Sequence, residues 1–169
     1  MEDISSYRRE ALDMRLAFLA GGRSRRMGRD KAWLPVAGVP LLRLLVDRLS
    51  VCGLPMIVLG RTAADSPVAE LPHLPDERPG QGPLGGLATA LARWPEPLLL
   101  VACDLPRLSP AVVSWLIAGD GGGDGLVPLC GGRLQPCTAR YEARVQPLVR
   151  QRLAFSRKQV LAVKPVNLN

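Results

Sequence analysis

Histidine is almost missing: His73 is the only one in 169 residues. No Ser-His-Asp or Cys-His set presents itself, and His73 reads as an exposed loop residue without a catalytic role. The four cysteines, Cys52, Cys103, Cys130 and Cys137, contain no C-x-x-C spacing, which argues against a zinc site. Cys130 and Cys137 flank a Gly-Gly pair and could face each other across a hairpin, but reduced thiols of a cytoplasmic protein are the expectation. Aromatics make up only 4% of the chain and do not interleave with the basic residues, so a stacking platform for single-stranded nucleic acid is not foreseen. No apolar run approaches the ~20 residues of a membrane-spanning helix. The opening "MEDISSYRREALDM" lacks the apolar stretch of a signal peptide. A soluble, cytoplasmic protein without membrane contact is expected.

What is present is a 47% hydrophobic chain, enough for one domain whose core is built from leucine, valine and alanine. The formal charge is +7. A basic balance favours phosphates, nucleic acid or acidic surfaces. Only Lys31, Lys158 and Lys164 are lysines, so the excess over the whole chain is as much an arginine-rich composition as a binding surface. The informative part is local: "FLAGGRSRRMGRDK" (18–31) sets five basic side chains between Arg23 and Lys31, just after a glycine pair.

That loop follows "RLAFLA" (15–20), which reads as a buried strand. Residues Leu41, Leu42, Leu45, Val46 and Leu49 fall at helical spacing, opening after Pro40 and closing at Gly53. "PMIVLG" (55–60) is a second strand, and "LPHLPDERPGQGPLGG" (71–86) is mostly loop. "PLGGLATALARW" (83–94) is helical and "PLLLVACD" (97–104) is a third strand ending in an acid. Ser109 and Pro110 start another helix as N-cap and first residue. "GDGGGDG" is a turn, and "LVPLC" and "LQPCTARY" are two strands around Gly131-Gly132. "YEARVQPLVRQRLA" is an amphipathic helix with an irregularity at Pro147, and "VLAVKPVNLN" begins like a strand.

Strand, loop and helix alternate. The expected fold is α/β: a three-layer α/β/α sandwich around a mostly parallel, Rossmann-like sheet. Residues 1–14 would be a flexible extension and 15–169 a single domain. Ligands of such sheets lie at the carboxyl ends of the strands. Two features fall there, the glycine loop and Asp104. Glycines let several N–H groups converge on a phosphate, and Arg26 and Lys31 add charge. The loop is neither a Walker A sequence nor a G-x-G-x-x-G fingerprint. Asp104 is placed either to hold Mg²⁺ or to cap a turn.

"LAGGRSRRMGRDK" resembles the signature L-A-G-G-x-S-x-R-M-G-x-D-K of the molybdenum cofactor guanylyltransferases, members of the nucleotidyltransferase fold. "GPLGGL" (82–87) resembles their G-P-L-A-G-[IL] segment, with Asp76 matching an acid upstream of it. "ACDLPRLSP" resembles C-D-x-P-x-[IL]-x-P, and 134–153 resembles the hairpin-to-helix region. The likeness spans roughly residues 15–155.

The resemblance implies transfer of GMP from GTP to the phosphate of molybdenum-bound molybdopterin, with release of pyrophosphate. It implies Mg²⁺ on Asp104, and nucleotide contacts at Leu19, Ala20, Gly21, Gly22, Ser24, Lys31, Asp76 and Asp104. Arg26, Lys31 and Asp104 become the catalytic candidates. Molybdenum-insertion proteins and acceptor molybdoenzymes become candidate partners. Nucleic acid is not expected, because the basic residues cluster in a loop and not along a helix face. Gly21-Gly22 in place of L-A-A-G favours GTP over CTP. A CTP-dependent cytidylyltransferase, a sugar-phosphate nucleotidyltransferase and a non-catalytic nucleotide-binding homologue stay open. The family's Asn at the second strand's exit has no counterpart, since Gly60 stands in that stretch. "NLN" (167–169) matches half of the family's closing segment, so the C-terminus is expected to be short. Arg133, Arg157 and Lys158 are candidates for the pterin side on charge alone.

Overall fold

A computed structural model describes residues 14–21, 30–119, 123–155 and 165–167. The first strand, β1 (Arg15–Leu19), is buried on both faces: Leu16, Ala17 and Phe18 have no exposed surface. Met14, assigned to the extension, is itself in the core at 1% exposure. The rest of the expected extension lies outside the described residues.

Two short strands, β2 (Pro35–Val36) and β3 (Val39–Pro40), form a hairpin turned by Ala37 and Gly38, both at positive φ. Helix α1 (Leu41–Leu49) buries all five residues that the apolar spacing selected. It tightens into a 3₁₀ turn at Ser50–Cys52 and ends on Gly53 in the left-handed conformation. Strand β4 (Met56–Leu59) follows. The Pro- and Gly-rich segment is not all loop: His73–Leu74 pairs in parallel with β4 as β5. His73 is accordingly half-buried, with Nδ1 2.7 Å from the Leu71 carbonyl, and is not the exposed loop residue expected.

Helix α2 (Gly82–Arg93), strand β6 (Leu98–Ala102) and helix α3 (Pro110–Ala118) come next. Ser109 stands before Pro110 with extended backbone, but its side chain makes no capping bond. Strand β7 (Gly125–Cys130) turns at Gly131-Gly132 into β8 (Arg133–Leu134). "LQPCTARY" is not one strand. Unbroken, the hairpin that pairs Leu129 with Leu134 would set Leu126 opposite Cys137, yet Leu126 faces Arg140. Residues 135–137 therefore loop out before β9 (Thr138–Tyr141), held by the Gln135 N–H on the Pro128 carbonyl at 2.9 Å. Cys130 consequently faces Arg133 and not Cys137, and all four cysteines are free thiols. Helix α4 (Gln146–Phe155) carries Pro147 at its second residue. Proline starts this helix and does not interrupt it, because a first-turn N–H has no intrahelical acceptor to lose. Strand β10 (Pro165–Asn167) runs parallel to β7.

The main sheet has the order β10-β7-β9-β6-β1-β4-β5, with β8 also on β7. Among the described strands of this sheet, β8 and β9 alone oppose the common direction. Side chains of α1 and α3 form one core with Leu16, Phe18, Leu99 and Val101. Those of α2 and α4 form a second with Ala17, Leu98 and Leu100 on the other face. This is the three-layer arrangement expected. Among the described residues no helix is long and apolar enough to cross a membrane.

Candidate active site

The chain leaves β1 for β4 on one side and returns at β6 on the other, so the loops after β1 and β6 diverge at the sheet's carboxyl edge. That is the switch point where ligands of open α/β sheets bind. On the β4 side lies a cleft of about 620 Å³, lined by Leu19, Gly21, Leu59, Gly60 and Asp76 below and by Gly82, Pro83 and Gly86 from the start of α2.

One backbone crossing shapes this cleft. Gly21 and Gly60 touch: a Cβ on Gly60 would stand 2.4 Å from Gly21 Cα, and Gly60 has φ +82°. Only glycine fits both demands. Asp76 enters from the end of β5. Its neighbour's backbone is fixed by the Glu77 N–H donating to Thr89 Oγ1 at 3.3 Å, while Thr89 in turn donates to the Gly85 carbonyl at 2.9 Å. Burial raises the Asp76 carboxyl above its ordinary value. An acceptor held partly out of water is a strong hydrogen-bond partner for a donor entering the cleft.

On the β6 side, Asp104 follows the strand by two residues. The Cys103 N–H donates to the Leu19 carbonyl at 3.3 Å, which ties this turn to β1. Lys31 Nζ donates to Asp104 Oδ2 at 2.7 Å. That bond and the Asp104 charge raise the Lys31 pKa, so the ammonium is fully charged at neutral pH. The Cys103 thiol beneath, pushed up to about 11 mainly by burial, stays protonated.

The sequence-selected residues thus fall into two groups on either side of β1. Leu19, Gly21 and Asp76 share the cleft; Lys31 and Asp104 are bound to each other. Ala20 is buried, with its carbonyl turned to Arg61. Gly22, Ser24 and Arg26 lie outside the described residues, as do Arg157 and Lys158. Arg133 is exposed at the hairpin tip, and its carbonyl accepts from Gln135. Arg61, which sequence reasoning passed over, is the residue with most bonds here. The signal was available: it follows an apolar strand directly after Gly60, the same position argument that selected Asp104.

Among the described residues, no cluster of three or more His, Cys, Asp or Glu side chains is placed to hold a metal. A divalent cation would rest on Asp104 with phosphate oxygens as its other ligands, the usual mode for Mg²⁺ at nucleotides. The residues present fit that mode, since a half-exposed carboxylate here already meets a cation, the Lys31 ammonium.

A mixed, mainly parallel sheet between two helix layers, with Asp76 in a cleft and a Lys-Asp pair on either side of its first strand, defines an open α/β protein with a ligand site at its switch point. Residues 16–163 match the MobA-like NTP transferase domain, and the chain belongs to that family. It is 30% identical over 154 residues to a probable molybdenum cofactor guanylyltransferase of Carboxydothermus hydrogenoformans, covering 90% of this chain and 78% of that one. In fold it is similar to molybdopterin-guanine dinucleotide biosynthesis protein A from Archaeoglobus fulgidus. That match has a TM-score of 0.71 and 22% identity, covering 83% of this chain and 73% of the other. It is also similar to a manganese complex of Rv0371c from Mycobacterium tuberculosis, with a TM-score of 0.65 and 18% identity over 93% of this chain and 90% of the other.

Proposed function

We propose that the protein is a molybdenum cofactor guanylyltransferase, joining GMP from GTP to the phosphate of molybdenum-bound molybdopterin. The observation that carries this reading is the Asp76 carboxylate in a glycine-floored cleft, in a chain whose family transfers nucleotides. A carboxylate accepts from guanine N1–H and N2–H₂ together; adenine offers no such pair of donors on that edge.

GTP then lies across the carboxyl end of β1, with guanine in the cleft and the triphosphate toward Lys31 and Asp104. The Lys31 ammonium, on a flexible stem, exchanges Asp104 for phosphate oxygens and neutralises charge that builds on the departing pyrophosphate. Asp104 would hold a divalent cation, Mg²⁺ in this reading, which would supply charge neutralisation at the α-phosphate. An oxygen of the molybdopterin phosphate attacks the α-phosphorus, and the bond from that phosphorus to the α–β bridging oxygen breaks. The attacking oxygen is already anionic, so no general base is needed. That agrees with a site whose nearest thiol is protonated and whose only histidine sits in β5. Molybdenum-insertion and acceptor molybdoenzymes are its partners in this reading, and the cytoplasm its location.

The test is pyrophosphate release from purified protein, Mg²⁺ and molybdenum-loaded molybdopterin, with GTP and CTP in parallel. GTP is expected to turn over and CTP to lag. A faster CTP reaction reverses the base assignment, and GTP binding without product makes the chain a non-catalytic homologue.

A further inference from the structure

Arg61 has only 7% of its side chain exposed and donates through all three of its nitrogens. Its Nε donates to the Ala20 carbonyl at 3.0 Å, and Nη2 reaches the same oxygen. Nη2 also donates to both carboxylate oxygens of Asp30 at 2.9 Å, and Nη1 donates to the Asp65 carbonyl at 2.7 Å. Ala20 and Asp30 stand on the two sides of segment 22–29, so one guanidinium ties both. Asp30 Oδ1 further accepts the Ala32 N–H at 3.0 Å, capping the 3₁₀ turn Lys31–Trp33 that carries Lys31. Lys31 then meets Asp104. A continuous chain of bonds runs from the exit of β4, through Asp30 and Lys31, to the exit of β6.

Stability alone does not account for this arrangement. The arginine is buried but Asp30 is 43% exposed, and a pair with one partner in solvent adds little to stability. A planar fork fixes the relative position of two acceptors, which a point charge or an alkyl chain does not. We propose that Arg61 is a positioning residue for nucleotidyl transfer, acting through Asp30 to hold Lys31 at the triphosphate. This rests on the reading that Lys31 meets the triphosphate of GTP.

The test is a double-mutant cycle of Arg61→Gln with Lys31→Ala, reading kcat and KM for GTP and the thermal midpoint of each protein. Arg61→Gln alone is expected to lower kcat/KM on the order of tenfold to a hundredfold, shrinking to about threefold or less when Lys31 is already alanine. A merely structural role shifts the melting temperature while costing the same factor in both backgrounds, and that result overturns the proposal. If Arg61→Gln does not fold, Asp30→Asn replaces it, because its amide oxygen keeps the Ala32 cap while the charged bridge is lost. If the wild type leaves GTP unconverted, the guanylyltransferase reading fails by itself. The cycle is then read by calorimetry with inorganic tripolyphosphate. The same non-additivity in affinity supports the positioning role, and additive effects or no binding overturn it.

Discussion

Gly60 and Gly38 share nearly the same φ, +82° and +83°, but not the same surroundings. A Cβ at Gly38 meets nothing within 4 Å, whereas at Gly60 it would collide with the Gly21 backbone. Gly38→Ala therefore reports backbone strain alone, about 1–2 kcal/mol. Gly60→Ala adds a clash between two main chains, neither of which has a flexible end to move. Its expected cost is about 3 kcal/mol or more, with loss of GTP binding, both readable from denaturant unfolding and a nucleotide titration. Equal costs at the two sites would mean that the β1 and β4 exits part easily. Asp76 supplies a second residue-scale expectation. Its folded pKa is above the unfolded one, so protonation favours the fold and the site's contribution to stability improves as pH falls. The proposed guanine recognition runs the other way, because it needs the ionised acceptor. The KM for GTP should thus rise on acidification, starting above the usual aspartate value of 3.8, while Asp76→Asn flattens that limb. A KM that follows pH identically in both proteins would remove Asp76 from base recognition.

Between elements, the β7–β9 hairpin is joined to α3 by one buried cation. Arg140 donates through Nη1 to the carbonyls of Ile117, at 3.0 Å, and Gly119, at 2.9 Å, and through Nε to Glu142 at 2.7 Å. Both partners of that pair are at most 13% exposed. Removing Glu142 leaves the guanidinium charge buried and uncompensated, so Glu142→Ala should destabilise by about 3 kcal/mol. Asp47, 59% exposed and paired with Arg43 one helical turn away, is the contrast: Asp47→Ala should cost under ~0.5 kcal/mol. Urea midpoints of the two variants check both figures. The same hairpin shows where the sequence was legible. Apolar runs such as "LLLVA" and the α1 spacing mark their elements because both faces, or one whole stripe, must be buried. The looped-out 135–137 and the two-residue β5 carry no such pattern. They exist because a neighbouring strand offers hydrogen bonds, which no local window contains. The candidate site was legible in part: Asp76 and Asp104 stand in motifs, and Arg61 is marked by its place after the β4 strand, but its bonds to Ala20 and Asp30 exist only once the fold brings them within reach.

At the scale of the whole molecule, two cores share one main sheet, and the consequence is cooperative. In β1, Leu16 and Phe18 enter the core beneath α1 and α3, while Ala17 between them enters the core beneath α2 and α4. In β6, Leu99 and Val101 alternate with Leu98 and Leu100 in the same way. Neither strand can leave one core without leaving the other, so the two layers should unfold together although helices on opposite faces never touch through the sheet. The tryptophans make this measurable. Trp115 packs on the first core and Trp94 on the second, with Trp33 48% exposed near the site. A variant with Trp33→Phe and Trp94→Phe leaves a reporter on one layer, and one with Trp33→Phe and Trp115→Phe leaves a reporter on the other. In each variant the fluorescence midpoint in urea should coincide with that protein's own far-UV circular dichroism midpoint, within about 0.2 M. A Trp94 signal lost well before the dichroism would show that α2 and α4 detach as a separate unit. The cleft, which is roofed by the start of α2, would then open before the rest of the fold.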